Sequence, residues 1–368
     1  MKRLVAAALL SALVGLPITA RASSSVPWSQ VGSGWILSVV NHTFTGCACA
    51  GIAPPAHLDP EPTQLTLVSP AGQTYVLKSW PYAAGTGSPP IGQLVDWSGD
   101  RRPALFLGTD HLTRSTLTEL DLRTGHTRTV KVPTVLDSAG YTLPTGQQLI
   151  VDVDTGRGRV DVQRWGRDGK RLVDLGAGPL VSAPDGTSYV RWAQGGLTRL
   201  SGTGQVLGHG AVSGATGCVP ERFLDPGHVL LGCGSLDSKL WEVGVHGGTA
   251  RRLSVADPAA SGDAADLNAW PVGSGSYLYY LGGCGSSYLG RTAAGKVQQI
   301  TVPGSPDSVV VLAKVKGSFD ILTKVAGCYA SSSLITFDPV SGRTTTLIAS
   351  VPGELGVEAA LVFGHLRG

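Results

Sequence analysis

Pro179-Leu-Val-Ser-Ala-Pro184-Asp185-Gly186-Thr-Ser-Tyr-Val-Arg-Trp192, followed closely by Leu197-Thr-Arg-Leu-Ser-Gly202-Thr203-Gly204-Gln-Val-Leu207, is the stretch that decides the fold. In each half two short apolar runs flank a turn rich in Gly. Proline pre-sets one turn dihedral and glycine supplies the positive φ that tight hairpins require. Two hairpins in succession make one four-stranded antiparallel unit.

The same unit recurs along the chain. First hairpins are expected at Trp28–Val40, Gln93–Leu107, Gly140–Val153, Pro179–Trp192, Val219–Cys233, Leu267–Leu281 and Ser308–Val325. Second hairpins follow, among them Leu117–Val130, Val160–Leu175, Leu240–Leu253 and Leu334–Leu347. Val160-Asp-Val-Gln-Arg-Trp165 alternates with period two, one face turned inward and the other toward water. The turn glycines Gly34, Gly99, Gly146, Gly186, Gly227, Gly275 and Gly317 are 40 to 65 residues apart. A four-stranded repeat of about 40–50 residues is the sign of a propeller blade.

The expected fold is therefore all-β: a seven-bladed β-propeller of four-stranded antiparallel blades, with six or eight blades as the alternatives. A two-sheet sandwich cannot hold so many strands. Gly356–Gly364 is an apolar run without a partner of its own. It is expected to return to the first blade and close the ring; a short terminal helix is the other reading. Composition agrees, since 51 Gly and 23 Pro in 368 residues exclude a largely helical protein.

Residues 1–22 read as an export signal. Lys2 and Arg3 precede the apolar run Leu4–Ala20, and Ala20-Arg21-Ala22 offers small residues for cleavage. An uncleaved anchor is the weaker reading, because Pro17 interrupts a run that would barely span a bilayer. Residues 23–368 are expected to form a single domain, secreted and without membrane insertion, and monomeric. Without residues 1–22 the chain carries 26 basic and 26 acidic groups. No basic excess remains to attract phosphates, so nucleic acid is not an expected partner.

Six cysteines in an exported chain point to disulfides. Folding Val219–Cys233 about Asp225-Pro226-Gly227 brings Cys218 opposite Cys233, and that pair is expected to bond. Cys284 and Cys328 fall at equivalent places on adjacent blades and are candidates for a bridge. Cys47 and Cys49 either close a small ring or engage Cys328. A metal site on Cys47-Ala-Cys49 with His42 or His57 is disfavoured, because zinc sites show wider Cys spacing, twice over. No metal or cofactor is expected.

Candidate binding residues gather on one rim, where second strands connect to third strands and each blade to the next. The longest such loop, Asn41–Thr63, holds His42 and His57 along with Asp59 and Glu61. Trp80 and Tyr82 follow blade 1, Asp110, His111 and Arg114 belong to blade 2, and Arg157 and Arg159 to blade 3. Asp257, Asp263 and Asp266 lie between blades 5 and 6. Loops on a rigid scaffold carry function, and arginine beside aromatic rings suits sugars or peptides.

Ser182-Ala-Pro-Asp185-Gly186 before an aromatic-bearing strand resembles the Ser-Pro-Asp-Gly turn of TolB-like and WD40-like propeller repeats. The resemblance implies a binding scaffold instead of a reaction. Absences point the same way. The chain has no Gly-x-Ser-x-Gly elbow, no sialidase-type Asp box and no His-x-His or His-x-x-x-His pair. The expected function is a secreted, non-catalytic scaffold that binds a protein or a cell-surface glycan. The alternative is an extracellular enzyme acting on carbohydrate through rim carboxylates, which need no sequence signature.

Overall fold

The computed structural model describes residues 25–41, 62–81, 89–110, 114–156, 159–234, 238–255, 265–282, 286–305, 308–325, 331–350 and 356–364. Every regular element in them is a strand, and the strands form seven sheets. Gly356–Val362, Ile36–Asn41, Thr63–Val68 and Thr74–Trp80 make blade 1, in that spatial order. Blades 2, 3, 6 and 7 span Gln93–Val132, Leu136–Ala177, Asp266–Ile300 and Ser308–Ile348. Blade 4 runs from Leu180 to Ser213 and blade 5 from Cys218 to Arg252.

First strands of adjoining blades touch one another, as Gln93–Trp97 touches Leu136–Tyr141 and Leu180–Ser182 touches Cys218–Asp225. These strands therefore surround the axis, and the fourth strands lie outermost. The core is shared between blades and not held within them. Leu105 and Leu117 of blade 2 pack with Leu149, Val151 and Trp165 of blade 3. Tyr277 and Leu289 of blade 6 pack with Phe319, Ile321 and Phe337 of blade 7. A single sheet has two apolar faces to cover, and only its neighbours can cover them. This is the expected seven-bladed propeller.

The ring closes through the C-terminal strand. Gly356–Val362 pairs antiparallel with Ile36–Asn41 from Ile36↔Val362 to Asn41↔Gly356. The helical reading of this segment is thus replaced by a strand. Trp28–Val40 is not the hairpin that its Gly-rich centre suggested. Residues 28–34 form turns, and the C-terminal strand takes the inner place of blade 1. Positive φ also moves within some turns: in blade 2 it falls on Arg101 (φ 65°) and not on Gly99.

Blade 4 has a fifth strand. Val206–Ser213 pairs in parallel with Gly248–Thr249, a two-residue strand contributed by blade 5. The expected hairpin Leu240–Leu253 forms, Lys239–Gly244 pairing antiparallel with Arg251–Arg252, and the crossing residues Gly248–Thr249 lie in the turn region between its strands. Gly210 and Gly247 make the approach possible. A Cβ on Gly210 would overlap the carbonyl of His246, and one on Gly247 would overlap the backbone of Gly210 and Ala211.

Cys218 and Cys233 are register partners and form the expected disulfide, with Cα atoms 4.0 Å apart. The bond spans a sequence separation of 15. Loop-closure entropy for such a span is worth about 3 kcal/mol. Replacing both cysteines by serine is expected to lower the unfolding free energy by about 2–3 kcal/mol in a denaturant titration. Cys47, Cys49, Cys284 and Cys328 lie outside the described residues.

Candidate functional site

Strand direction alternates within a blade, so second-to-third and blade-to-blade connections share one rim of the ring. Arg114 opens the third strand of blade 2 and is exposed; Arg159 is exposed just before the third strand of blade 3. They share that rim on adjacent blades. Trp80 is only 7% exposed and meets Phe106 edge-on at 6.1 Å, so it belongs to the core between blades 1 and 2. Asp110 ends a strand opposite Arg114, its side chain outside the described residues. His42, His57, Tyr82, His111, Arg157, Asp257 and Asp263 also lie outside them. Asp266 is buried at the start of a strand, with Lys239 Nζ 3.6 Å from its carboxylate.

Many charged groups sew blades together. Arg167 of blade 3 grips Glu119 of blade 2 with two bonds, Nε to Oε1 at 2.6 Å and Nη2 to Oε2 at 3.0 Å. Arg222 of blade 5 donates to Asn268 Oδ1 at 2.9 Å and to the Ala269 carbonyl at 2.6 Å, both in blade 6. Burial pushes the Arg222 guanidinium down to about 10. Arg191 of blade 4 reaches the Leu175 carbonyl of blade 3, and Arg164 of blade 3 reaches the Gly202 carbonyl of blade 4. Asp96 of blade 2 accepts the Tyr141 N–H of blade 3 at 2.6 Å. The planar five-donor fork of arginine suits this work, which a lysine ammonium could not do with the same geometry.

Among the described residues four carboxyls lie above their ordinary range, each first because of burial: Asp152, Glu221, Asp266 and Asp320. At Asp152 the nearby charge of Asp137 adds to the rise, while the Ser138 hydroxyl, donating at 2.6 Å, works against it. Asp137 sits at a β-bulge in the inner strand of blade 3, near the expected rim.

Asp320 is 4% exposed and raised to about 6, with the Thr336 hydroxyl as a partial offset. Phe319 and Ile321 pack toward blade 6 and Leu322 toward blade 1. By alternation Asp320 faces blade 1, at the seam where the ring closes. Its folded state holds a proton more tightly than the unfolded chain. The Asp320 contribution to stability is therefore fully present below the unfolded value of 3.8, is lost as pH rises toward 6, and is level above it. The fall is about 3 kcal/mol. Asp320→Asn is expected to remove this part of the pH dependence and to be the more stable protein at pH 7, which urea titrations at several pH values would measure.

The opposite face carries a cleft of about 400 Å³ between blades 4 and 5. Blade 4 supplies Ala183, Pro184, Asp185, Thr187, Ser188 and Arg199; blade 5 supplies Phe223, Pro226 and Val245. One wall is thus mostly polar and the other apolar. The Gly248–Thr249 crossing ties the two blades together beside it. Asp185 Oδ1 accepts the Thr187 N–H at 3.0 Å and its hydroxyl at 2.9 Å, which holds the carboxyl below its ordinary range. Arg199 is half-buried, and its Nη1 donates to His246 Nδ1 at 3.2 Å. No local sequence signal marked Arg199, Phe223 or Val245. The sequence marks Pro184-Asp185-Gly186 and Asp225-Pro226-Gly227 as turns and nothing more. Among the described residues no group of His, Cys, Asp and Glu is arranged to hold a metal ion.

The sequence matches no family model and no curated protein. Among solved structures the chain is similar to a prolyl endopeptidase, at 13% identity and a TM-score of 0.56, over 89% of this chain and 49% of that one. It spans about half the length of that enzyme. It is also similar to the β-propeller domain of the Trilobed protease from Pyrococcus furiosus, at 11% identity and a TM-score of 0.50, over 87% of this chain and 93% of that one. These likenesses show the fold. That domain has an open velcro topology, whereas this ring is closed by pairing of its two ends. TolB from Acinetobacter baumannii is a further neighbour, at 13% identity and a TM-score of 0.42, over 80% of this chain and 78% of that one.

Proposed function

We propose that this chain is an exported, non-catalytic β-propeller that binds a protein or a cell-surface glycan. The cleft between blades 4 and 5 carries this reading. Its carboxylate, Asp185, is ionised and held by Thr187, which makes it an acceptor for a ligand and a poor general acid. Its neighbours Arg199, Phe223, Pro184 and Pro226 offer one charge and flat apolar surface, the composition of a recognition site. Export rests on residues 1–22, and the ring supplies rigidity, so a ligand meets surfaces that need little ordering on binding.

One observation favours the alternative of carbohydrate chemistry at the other rim. Burial and the neighbouring charge of Asp137 raise Asp152, and a carboxyl held above its ordinary range is one of the groups that glycoside hydrolysis requires. A single experiment separates the two. Labelled chain without residues 1–22 is added to intact cells and to a panel of polysaccharides, and bound label, released reducing ends and new amino termini are measured. Saturable binding with no release is expected. Release of reducing sugar that disappears in Asp152→Asn would establish the enzyme instead.

A further inference from the structure

We propose that the cleft between blades 4 and 5 binds an acidic sugar unit, a hexuronate within an extracellular polysaccharide. The inference rests on the binding-scaffold reading and narrows its ligand to carbohydrate carrying a carboxylate.

The division of the walls is the first ground. A pyranose ring has an apolar C–H face and a rim of hydroxyls, and the cleft is divided in the same way. Phe223, Pro226 and Val245 line it from blade 5, and packing a C–H face there removes apolar surface from water on both sides. Asp185, Thr187, Ser188 and Arg199 line it from blade 4. Asp185 keeps Oδ2 without a hydrogen bond among the described residues and accepts from hydroxyls. Thr187, whose own proton goes to Asp185, can accept a second one.

Charge is the second ground. Arg199 spends one nitrogen on His246 and forms no ion pair among the described residues. Asp185 and Arg199 line the same cleft without pairing with each other. The remaining N–H groups of the guanidinium form a fork that fits a carboxylate with two charge-assisted bonds. A neutral sugar would leave that fork unused.

A peptide is the weaker occupant. The turn at the cleft spends its backbone on itself, Ala183 N–H donating to Ser188 and Gly186 N–H to Ala183. Pro184 and Pro226 have no N–H to offer. An extended peptide relies on backbone partners, which this turn does not offer, whereas a sugar needs side-chain partners only. The volume of about 400 Å³ is at the small end of ligand sites, suited to one ring with part of a neighbour.

Calorimetry with oligogalacturonate and with its methyl ester, at low and high salt, tests the proposal. The acid is expected to bind, and the ester, which lacks the charge, about tenfold more weakly or worse. Arg199→Gln is expected to bring the acid down to the level of the ester and to leave the ester unchanged. Phe223→Leu, which keeps the core apolar, is expected to weaken both. Arg343→Gln, in a distant turn of blade 7, is expected to change neither. Equal binding of acid and ester, or discrimination that survives Arg199→Gln, would overturn the proposal. If labelled chain binds cells but no oligouronate, this cleft assignment fails while the scaffold reading stands. If it binds neither, both fail.

Discussion

A chain lacking residues 356–368 is expected to lose its cooperative fold. Gly356–Val362 is the inner strand of blade 1 although it lies at the other end of the sequence. It pairs along the whole length of Ile36–Asn41, and every residue of that strand is buried. Val357 and Val362 are core residues, and Phe363 meets the Trp97 ring edge-on at 4.9 Å. The Phe363 N–H donates to the Trp35 carbonyl at 2.8 Å. Each buried apolar side chain is worth about 1.5–3 kcal/mol. Their combined loss approaches the total stability of about 5–15 kcal/mol typical of a folded protein. Deletion also turns a buried apolar strand into an open edge, a template for aggregation. Broad, low-amplitude thermal melting with aggregates in size-exclusion chromatography is the expected result. A sharp transition within a few degrees of the full chain, in monomeric protein, would contradict it.

Glu119→Ala is expected to destabilise the protein by about 3–5 kcal/mol, the cost of breaking a buried pair by removing one partner. Glu119 is the buried member, with its side chain 8% exposed against 30% for Arg167. It also accepts the Tyr141 hydroxyl at 3.2 Å. Its loss strands the guanidinium and the phenol together at the seam between blades 2 and 3. Burial, and then the Glu119 charge, push the Tyr141 phenol upward, so that phenol stays protonated and remains a donor. Glu119→Gln keeps an acceptor and should cost less. The measurement is a double-mutant cycle with Arg167→Ala in urea. A large favourable coupling is expected. A coupling below about 1 kcal/mol, the value of an exposed pair, would show that the grip on Glu119 adds nothing to the seam.

The architecture was legible because propellers write their period in their turns. Pro184-Asp185-Gly186, Asp225-Pro226-Gly227 and Lys316-Gly317 recur between apolar runs, and each does join two strands of one blade. Cys218 and Cys233 were legible for the same reason, since a hairpin fixes which residues face each other. Val31-Gly32-Ser33-Gly34 misled because a glycine-rich turn looks alike whether or not a strand precedes it. The Gly248–Thr249 crossing left no signature, as two residues have no periodicity. The site was the least legible part. Asp185, Arg199, Phe223 and Val245 come from two blades, and they meet on the face opposite the rim where second strands end. Trp80 shows the converse: an aromatic at the end of a strand reads equally as a ligand platform or as core, and burial decides for the core.

Native-state hydrogen exchange on the full chain tests the closed ring most directly. Amides of Gly356–Val362 and Ile36–Asn41 are expected to exchange together, at the slow rate of global unfolding. Rapid exchange of Gly356–Val362 while Ile36–Asn41 stays protected would mean that the two ends of the chain are not joined.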